Sequence, residues 1–390
     1  MDSTKAPVTP TSARRAGWLG RAALLLVSTA VALAAVEGFA RLTGPDGATF
    51  RVAGVQAEGM DQLIEPDDAL LWRLVPLSEA TVRSAEYRVH VRINGLGLRG
   101  PELGPPAPGE QRLLLLGDSF TLAAQVEEDE SYAARLGAAL SERLGRPIVT
   151  LNAGVDGYGT RQAVQRGQQV LERTPAQGAV LFFFLGNDLW ENARLDERAA
   201  SRQETAGADH RAAEGRKKDG NPLHLWLARR SQAYAWAATV MARYAGISEA
   251  QAARYREELQ VFTDDALIEA WIPDTRAALL GFRDLCRQRR MTCAIAAIPP
   301  AFVVYPRRAD ATFSAFGLDP AALDPARPLQ ALRSAAPGEL PVVDLTPALA
   351  EAADGPPLYF TFDGHLTPAG HAVVAEAVAE ALAPRMGGGP

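Results

Sequence analysis

The stretch Arg112–Gly117, RLLLLG, narrows the fold more than any other. Four successive leucines leave no polar face, so as a strand the segment must be covered on both sides, as strands of parallel sheets are. Similar apolar runs of strand length recur as PIVTLNAG (147–154), GAVLFFFLG (178–186), TCAIAAIP (292–299) and LPVVDL (340–345). Between them lie segments with apolar residues at helical spacing, at 130–145, 160–174, 272–290 and 368–384. Strands alternating with helices predict an α/β fold, a three-layer α/β/α arrangement around a parallel sheet. In such sheets ligands sit at the carboxyl ends of the strands, so functional residues are expected in the loops that follow them.

The region before the sheet reads differently. Residues 1–16 are polar and predict a disordered cytoplasmic tail. Arg14, Arg15 and Arg21 then flank the apolar run Ala22–Val36, which Trp18, Leu19, Phe39 and Ala40 extend toward the ~20 residues a membrane helix needs. Residues 17–42 are therefore expected to form a transmembrane signal-anchor helix, with the body extracytoplasmic, periplasmic or outside. A cleaved secretory signal has the same layout, with Ala32-Leu33-Ala34 as its cleavage site. The continuation EGFARL favours the anchor. Residues 43–110 predict a β-rich extension and linker. Within it YRVHVRI (87–93) alternates at the strand period, and Asn94-Gly95 offers a turn. Residues 111–390 form the main domain. Its polar stretch from Glu191 to Asn221 lacks a period and reads as a mobile insertion spanning about 190–260, which includes a helical segment at 224–246.

The net charge of −6 argues against a nucleic-acid partner. The two cysteines, Cys286 and Cys293, have no metal-binding spacing, and no cluster of histidines and carboxylates appears, so neither a metal nor a cofactor is expected. Free buried thiols are expected, because a helix end and the strand after it usually diverge; pairing in an oxidising compartment is the alternative.

Four loops follow four apolar runs and carry Gly117-Asp118-Ser119, NAGVDGYGT (152–160), LGNDLWEN (185–192) and TFDGHLTPAGH (361–371). Together they hold what acyl transfer requires. A serine hydroxyl needs a base to take its proton, and His365 can serve. Asp363 can fix the imidazole tautomer and stabilise the imidazolium. The Ser119 N–H, a loop glycine N–H and the Asn187 amide can hold an oxyanion. Asp344, at the end of a strand, is a rival orienting acid.

These four blocks resemble the SGNH (GDSL-like) hydrolase superfamily, over roughly Arg112 to Pro384. The anchor and RINGLGLRG (92–100) are similar to a bacterial, membrane-anchored branch of it. The resemblance implies a flavodoxin-like fold with Ser119 as nucleophile, His365 as base, and Gly157 and Asn187 in the oxyanion hole, Gly154 being the runner-up glycine. Two departures stand out. Asp363-Gly364-His365 is one residue shorter than the D-x-x-H pattern and is similar to related polysaccharide O-acetyltransferases. The segment FTLAAQV (120–126) lacks the glycine that this branch usually has after FT-x. The implied activity is a serine esterase on small acyl esters, O-acetyl groups of extracytoplasmic glycans. The alternatives are an O-acyltransferase of the same fold or a catalytically silent glycan-binding or assembly protein.

Overall fold

The computed structural model describes residues 12–43, 59–84, 86–206, 227, 231, 233–234, 249–361 and 363–387. Most of the expected helix at 224–246 lies outside them, as does residues 1–11 of the tail.

Two antiparallel hairpins come first. β1 (Ile64–Asp67) pairs with β2 (Leu71–Leu74), and β3 (Glu79–Arg83) with β4 (Arg88–Arg92). In β4 the alternation read from YRVHVRI holds: Val89 and Val91 are buried while Arg88, His90 and Arg92 face solvent. The buried side chains of both hairpins join Leu122, Ala124, Val155 and Tyr158 of the main domain in one core. The extension is thus packed directly on the loops at the carboxyl edge of the main sheet.

That sheet has five parallel strands: β5 (Gln111–Leu116), β6 (Ile148–Asn152), β7 (Gly178–Phe184), β8 (Thr292–Ile298) and β9 (Val342–Asp344). The order across it is β6-β5-β7-β8-β9. The four leucines explain why β5 lies inside the sheet. Leu113 and Leu115 pack on α3 (Tyr132–Leu144) and on α9 (Pro368–Gly387). Leu114 and Leu116 pack on the opposite face with α4 (Thr160–Arg173), α7 (Asp265–Arg289) and α8 (Arg327–Ala335). All four are fully buried, each worth about 1.5–3 kcal/mol.

Three expectations need revision. First, Glu191 onward is not without structure: α5 (Asp188–Ala206) is a continuous helix. Its residues are mostly good helix formers, and it buries Leu189, Trp190 and Leu195. Its charges find partners on α6 (Glu249–Gln260), where Arg254 reaches the buried Glu191 and Glu257 takes Arg194. Few apolar residues and long-range ion pairs are what hid the helix.

Second, Cys286 and Cys293 are joined by a disulfide. The chain does not diverge after α7 because Arg290 turns back in the left-handed region at φ +54. The Met291 N–H bonds the Cys286 carbonyl at 2.9 Å, and the two cysteine Cα atoms lie 6.3 Å apart.

Third, the segment expected to span a membrane does form a helix, α1 (Ser12–Thr43), with Leu24, Leu25, Val27, Val31, Leu33, Val36 and Phe39 exposed. Among the described residues, however, no helix is long and apolar enough to cross a membrane. The run Ala22–Val36 gives only about 22 Å of helix, against a hydrocarbon core of ~30 Å, and it carries Ser28 and Thr29. The spanning part of the expectation is not met.

Candidate active site

β5 delivers its last residue, Leu116, to the carboxyl edge. Gly117 follows at φ +155, where a Cβ would lie 2.2 Å from Thr121 Oγ1 and 2.9 Å from the Phe182 carbonyl, so this turn requires glycine. Asp118 then caps the short helix α2 (Ser119–Leu122), its Oδ1 accepting the Phe120 N–H at 2.9 Å. Ser119 becomes the first residue of that helix, half-buried and facing the edge.

The helix stops at Ala123, at φ +56. This is the place after FT-x where a glycine was expected. The missing glycine has therefore not removed the left-handed turn. Its strain, of order 1–2 kcal/mol for a residue with a Cβ, is borne by the surroundings. Arg99 is the main support. Its Nη1 donates to the carbonyls of Leu122, at 2.7 Å, and Ala123, and its Nη2 to that of Val126. The Arg99 N–H bonds the Asn152 carbonyl at 3.1 Å, pinning the RINGLGLRG segment to the end of β6. Burial pulls the Arg99 pKa down to about 10, which leaves it cationic at neutral pH.

The loop between Tyr359 and Leu366, closed by a β-bridge, presents the other two residues. His365 Nε2 lies 2.7 Å from Ser119 Oγ. His365 Nδ1 lies 2.5 Å from Asp363 Oδ1. The shortened spacing is accommodated at Gly364, whose φ of +81 folds the chain so that Asp363 Oδ1 also accepts the His365 backbone N–H at 3.3 Å. Phe120 stacks on Phe184 and lies 4.6 Å, centroid to centroid, from the His365 ring.

The oxyanion candidates separate cleanly. Because β5 is flanked by β6 and β7, the loops bearing Gly157 and Asn187 leave the sheet on either side of the Ser119 turn. Gly154 spends its N–H on Asn152 Oδ1 at 3.1 Å. A Cβ on it would come 2.4 Å from the Leu122 nitrogen, so its part is close packing beneath α2. Gly157, at φ +71, has no partner for its N–H among the described residues. Asn187 begins the turn into α5, its carbonyl accepting the Glu191 N–H at 2.8 Å; its buried Oδ1 has no partner. Asp344 is not brought to His365: it accepts the Thr346 N–H at 2.9 Å. His371 is buried and accepts the Tyr132 N–H on Nδ1 at 3.1 Å, with burial depressing its pKa well below the usual imidazole range.

Beneath Ser119 lie two buried carboxyls, Asp118 and Asp188. Asp188 Oδ2 accepts the Phe184 N–H at 3.0 Å, while Asp118 Oδ2 and Asp188 Oδ1 have no partner. Burial raises the Asp118 pKa to about 6, against the opposing effects of His365 and the Phe120 N–H. Burial and then the Asp118 charge raise that of Asp188 well above the usual carboxylate range. A carboxyl whose pKa rises on folding favours the folded state below its unfolded value, and that stability is lost as pH rises through the folded value. Wild-type stability should therefore fall between pH ~4 and ~6 by on the order of 2–3 kcal/mol from Asp118. Asp118→Asn, which keeps the cap, should flatten that fall. Urea unfolding at pH 4 and pH 7 checks it; equal pH dependence in both proteins would refute the assignment.

Sequence reasoning missed four residues at this site. Tyr87 donates to Asp363 Oδ2 at 2.7 Å, and Glu86 accepts the backbone N–H groups of Thr361 and Asp363 at 2.7 and 2.9 Å. Trp72 donates to the Asp156 carbonyl at 2.9 Å, and Arg99 holds α2 as described. All four come from the extension, and their partners lie in distant loops. Only RINGLGLRG carried a signal, as a motif without a role.

Comparisons with known proteins add the family. Among solved structures, the lipase/acylhydrolase from Enterococcus faecalis is 13% identical, with 70% of this chain and 96% of that chain covered and a TM-score of 0.35. A lipase from a goat rumen metagenome is also 13% identical, covering 70% and 97%, with a TM-score of 0.37. A variant of an acetyl-xylooligosaccharide esterase from Geobacillus Stearmophilus is 13% identical, covering 71% and 95%, with a TM-score of 0.34. TM-scores of this size leave the fold to rest on the strand order described above. No curated protein matches the sequence. A family model does match, over residues 115–373, from β5 through the start of α9. The chain belongs to the GDSL-like lipase/acylhydrolase family.

Proposed function

We propose that the protein is a serine esterase that removes small acyl groups, O-acetyl groups on extracytoplasmic glycans, through an acyl-enzyme on Ser119. The observation that carries this reading is the continuous relay Ser119 Oγ–His365 Nε2, His365 Nδ1–Asp363 Oδ1, at 2.7 and 2.5 Å. His365 takes the Ser119 proton as Oγ attacks the ester carbonyl, and Asp363 steadies the imidazolium that forms. The N–H groups of Ser119 and Gly157 and the Asn187 amide hold the oxyanion. His365 returns the proton to the leaving alcohol, and water, activated by the same imidazole, releases the acid. Phe120 packs against the His365 ring and stacks on Phe184, bulk beside the base that favours a short acyl chain.

The Asp363-Gly364-His365 spacing supports a second reading, transfer of the acyl group to a polysaccharide hydroxyl in place of water. An intact relay counts against a silent scaffold. The Cys286–Cys293 disulfide supports a location outside the cytoplasm, where such bonds persist. The exposed apolar side chains of α1 support attachment to a membrane.

A fluorophosphonate probe should label the protein on Ser119. The kcat/KM for p-nitrophenyl esters should fall on the order of tenfold or more from acetate to octanoate, since a single methylene too many for a site is worth about 1–3 kcal/mol. Absence of label on folded protein defeats the enzyme reading, and a preference for octanoate defeats the small-acyl part. Acetyl release that rises with an added glycan, with acetylated glycan found by mass spectrometry, would favour transfer.

A further inference from the structure

Side chains of the N-terminal hairpins reach the reacting centre at two separate points. At the first, the Trp72 indole on β2 donates its Nε1–H to the Asp156 carbonyl at 2.9 Å. From the other side Arg198 of α5 lies over the Trp72 ring, 5.1 Å from its centroid, and its Nη1 donates to the Gly157 carbonyl at 3.5 Å. Tyr158 closes the contact by donating its hydroxyl to the Trp72 carbonyl at 2.5 Å. A trans peptide points its C=O and N–H in opposite directions. Holding the Asp156 carbonyl toward Trp72 therefore holds the Gly157 N–H away from it, and that N–H has no other partner among the described residues. The indole also packs on the turn itself: a Cβ at Gly157 would meet Trp72 Cζ2 at 3.4 Å.

At the second point, Tyr87 donates to Asp363 Oδ2, the carboxylate oxygen that His365 does not use. Burial and the Asp363 charge push the Tyr87 pKa up, so it stays a donor at any working pH. Glu86 brackets the same loop through the Thr361 and Asp363 N–H groups, and the Tyr87 ring packs on Phe360 with centroids 5.2 Å apart.

We propose that the hairpin module positions the catalytic machinery, Trp72 setting the Gly157 oxyanion donor and Glu86 with Tyr87 setting Asp363. This rests on the esterase reading above, whose donor and acid it fixes in place. A module that only glued the fold together would contribute to stability alone. A positioning module acts on the transition state, because the oxyanion and the imidazolium exist only there, so its loss falls on kcat and leaves KM.

The test uses variants that keep an aromatic side chain and remove its polar hydrogen; Tyr87→Phe loses the hydroxyl alone, while Trp72→Phe also gives up part of the indole that packs on Gly157. Trp72→Phe and Tyr87→Phe should each lower kcat on the order of 10- to 100-fold, the cost of a slightly misplaced group. KM should stay within about threefold. Trp72→Phe should also weaken an alkylboronic acid, which mimics the tetrahedral adduct, by the same factor as kcat/KM. Tyr87→Phe should move the acid limb of the kcat/KM–pH profile upward. Without the tyrosine hydrogen bond, Asp363 concentrates more charge on His365 and stabilises its protonated form. Arg73→Ala serves as a control: it removes the exposed Arg73–Glu65 ion pair within the same module and should leave kcat unchanged. The proposal is overturned if both Phe variants, folded by thermal melting, keep wild-type kcat, boronate affinity and pH profile. It is also overturned if Arg73→Ala loses as much kcat as they do. A wild-type protein with neither ester turnover nor fluorophosphonate label would instead remove the esterase reading itself.

Discussion

Ser119→Ala should lose ester turnover by on the order of 10³- to 10⁶-fold while its melting temperature stays near that of wild type. The small structural cost follows from the local geometry. The cap on α2 is made by Asp118, and Ser119 contributes its backbone to the helix and its hydroxyl to His365 alone. The large chemical cost follows from the relay, since without Oγ no acyl-enzyme forms and the imidazole has no proton to take. His365→Ala should cost about as much, and the double variant little more than either single one, because the residues act as a unit. Initial rates on p-nitrophenyl acetate, with fluorophosphonate labelling as a second readout, check this. Retention of a tenth of the wild-type rate by Ser119→Ala would assign the nucleophile elsewhere.

Arg99→Leu should destabilise the fold strongly, on the order of 3–5 kcal/mol, because it orphans three buried carbonyls at once. The guanidinium serves three carbonyls, those of Leu122, Ala123 and Val126, in a buried setting where leucine offers no donor. Each orphaned acceptor costs about 1–3 kcal/mol, partly relieved if water enters. The left-handed Ala123 would lose its support in the same step. Arg99→Lys should rescue little, since one ammonium cannot reproduce the planar fork that spans three acceptors. Urea unfolding measures the loss; a change under about 1 kcal/mol would show that the carbonyls are satisfied without Arg99. Because α2 begins with Ser119, kcat should fall in Arg99→Leu even in the fraction that remains folded.

What could be read from the sequence was whatever is written locally. RLLLLG announced a strand buried on both faces, and its leucines do divide between two helical layers. The loops after the strands offered Ser119, Asn187 and two glycines as candidates, the family resemblance preferring Gly157 to Gly154, and the strand order places the Ser119 loop between the other two. The short Asp363-Gly364-His365 spacing looked like a risk because a left-handed glycine is invisible until the turn is built. Helix α5 was hidden for the opposite reason: it buries few apolar residues, and its charges find their partners on α6, more than fifty residues away in the chain. The cysteine pair was misjudged because one left-handed residue, Arg290, decides whether a helix and the next strand part or return. Trp72, Glu86 and Tyr87 look like ordinary hairpin residues, and nothing in the hairpin itself names the loops they hold.

The separations along the chain have a consequence in time. Tyr87 and Asp363 are 276 residues apart, and Ser119 and His365 are 246 apart. Loop closure over such distances comes at an entropic cost that only late, cooperative docking recovers. During synthesis the hairpins and the Ser119 turn emerge long before the segment that completes them. The polypeptide therefore carries Ser119 without His365 beside it through most of its synthesis, and the pair can form only after the loop that follows Tyr359 has been made.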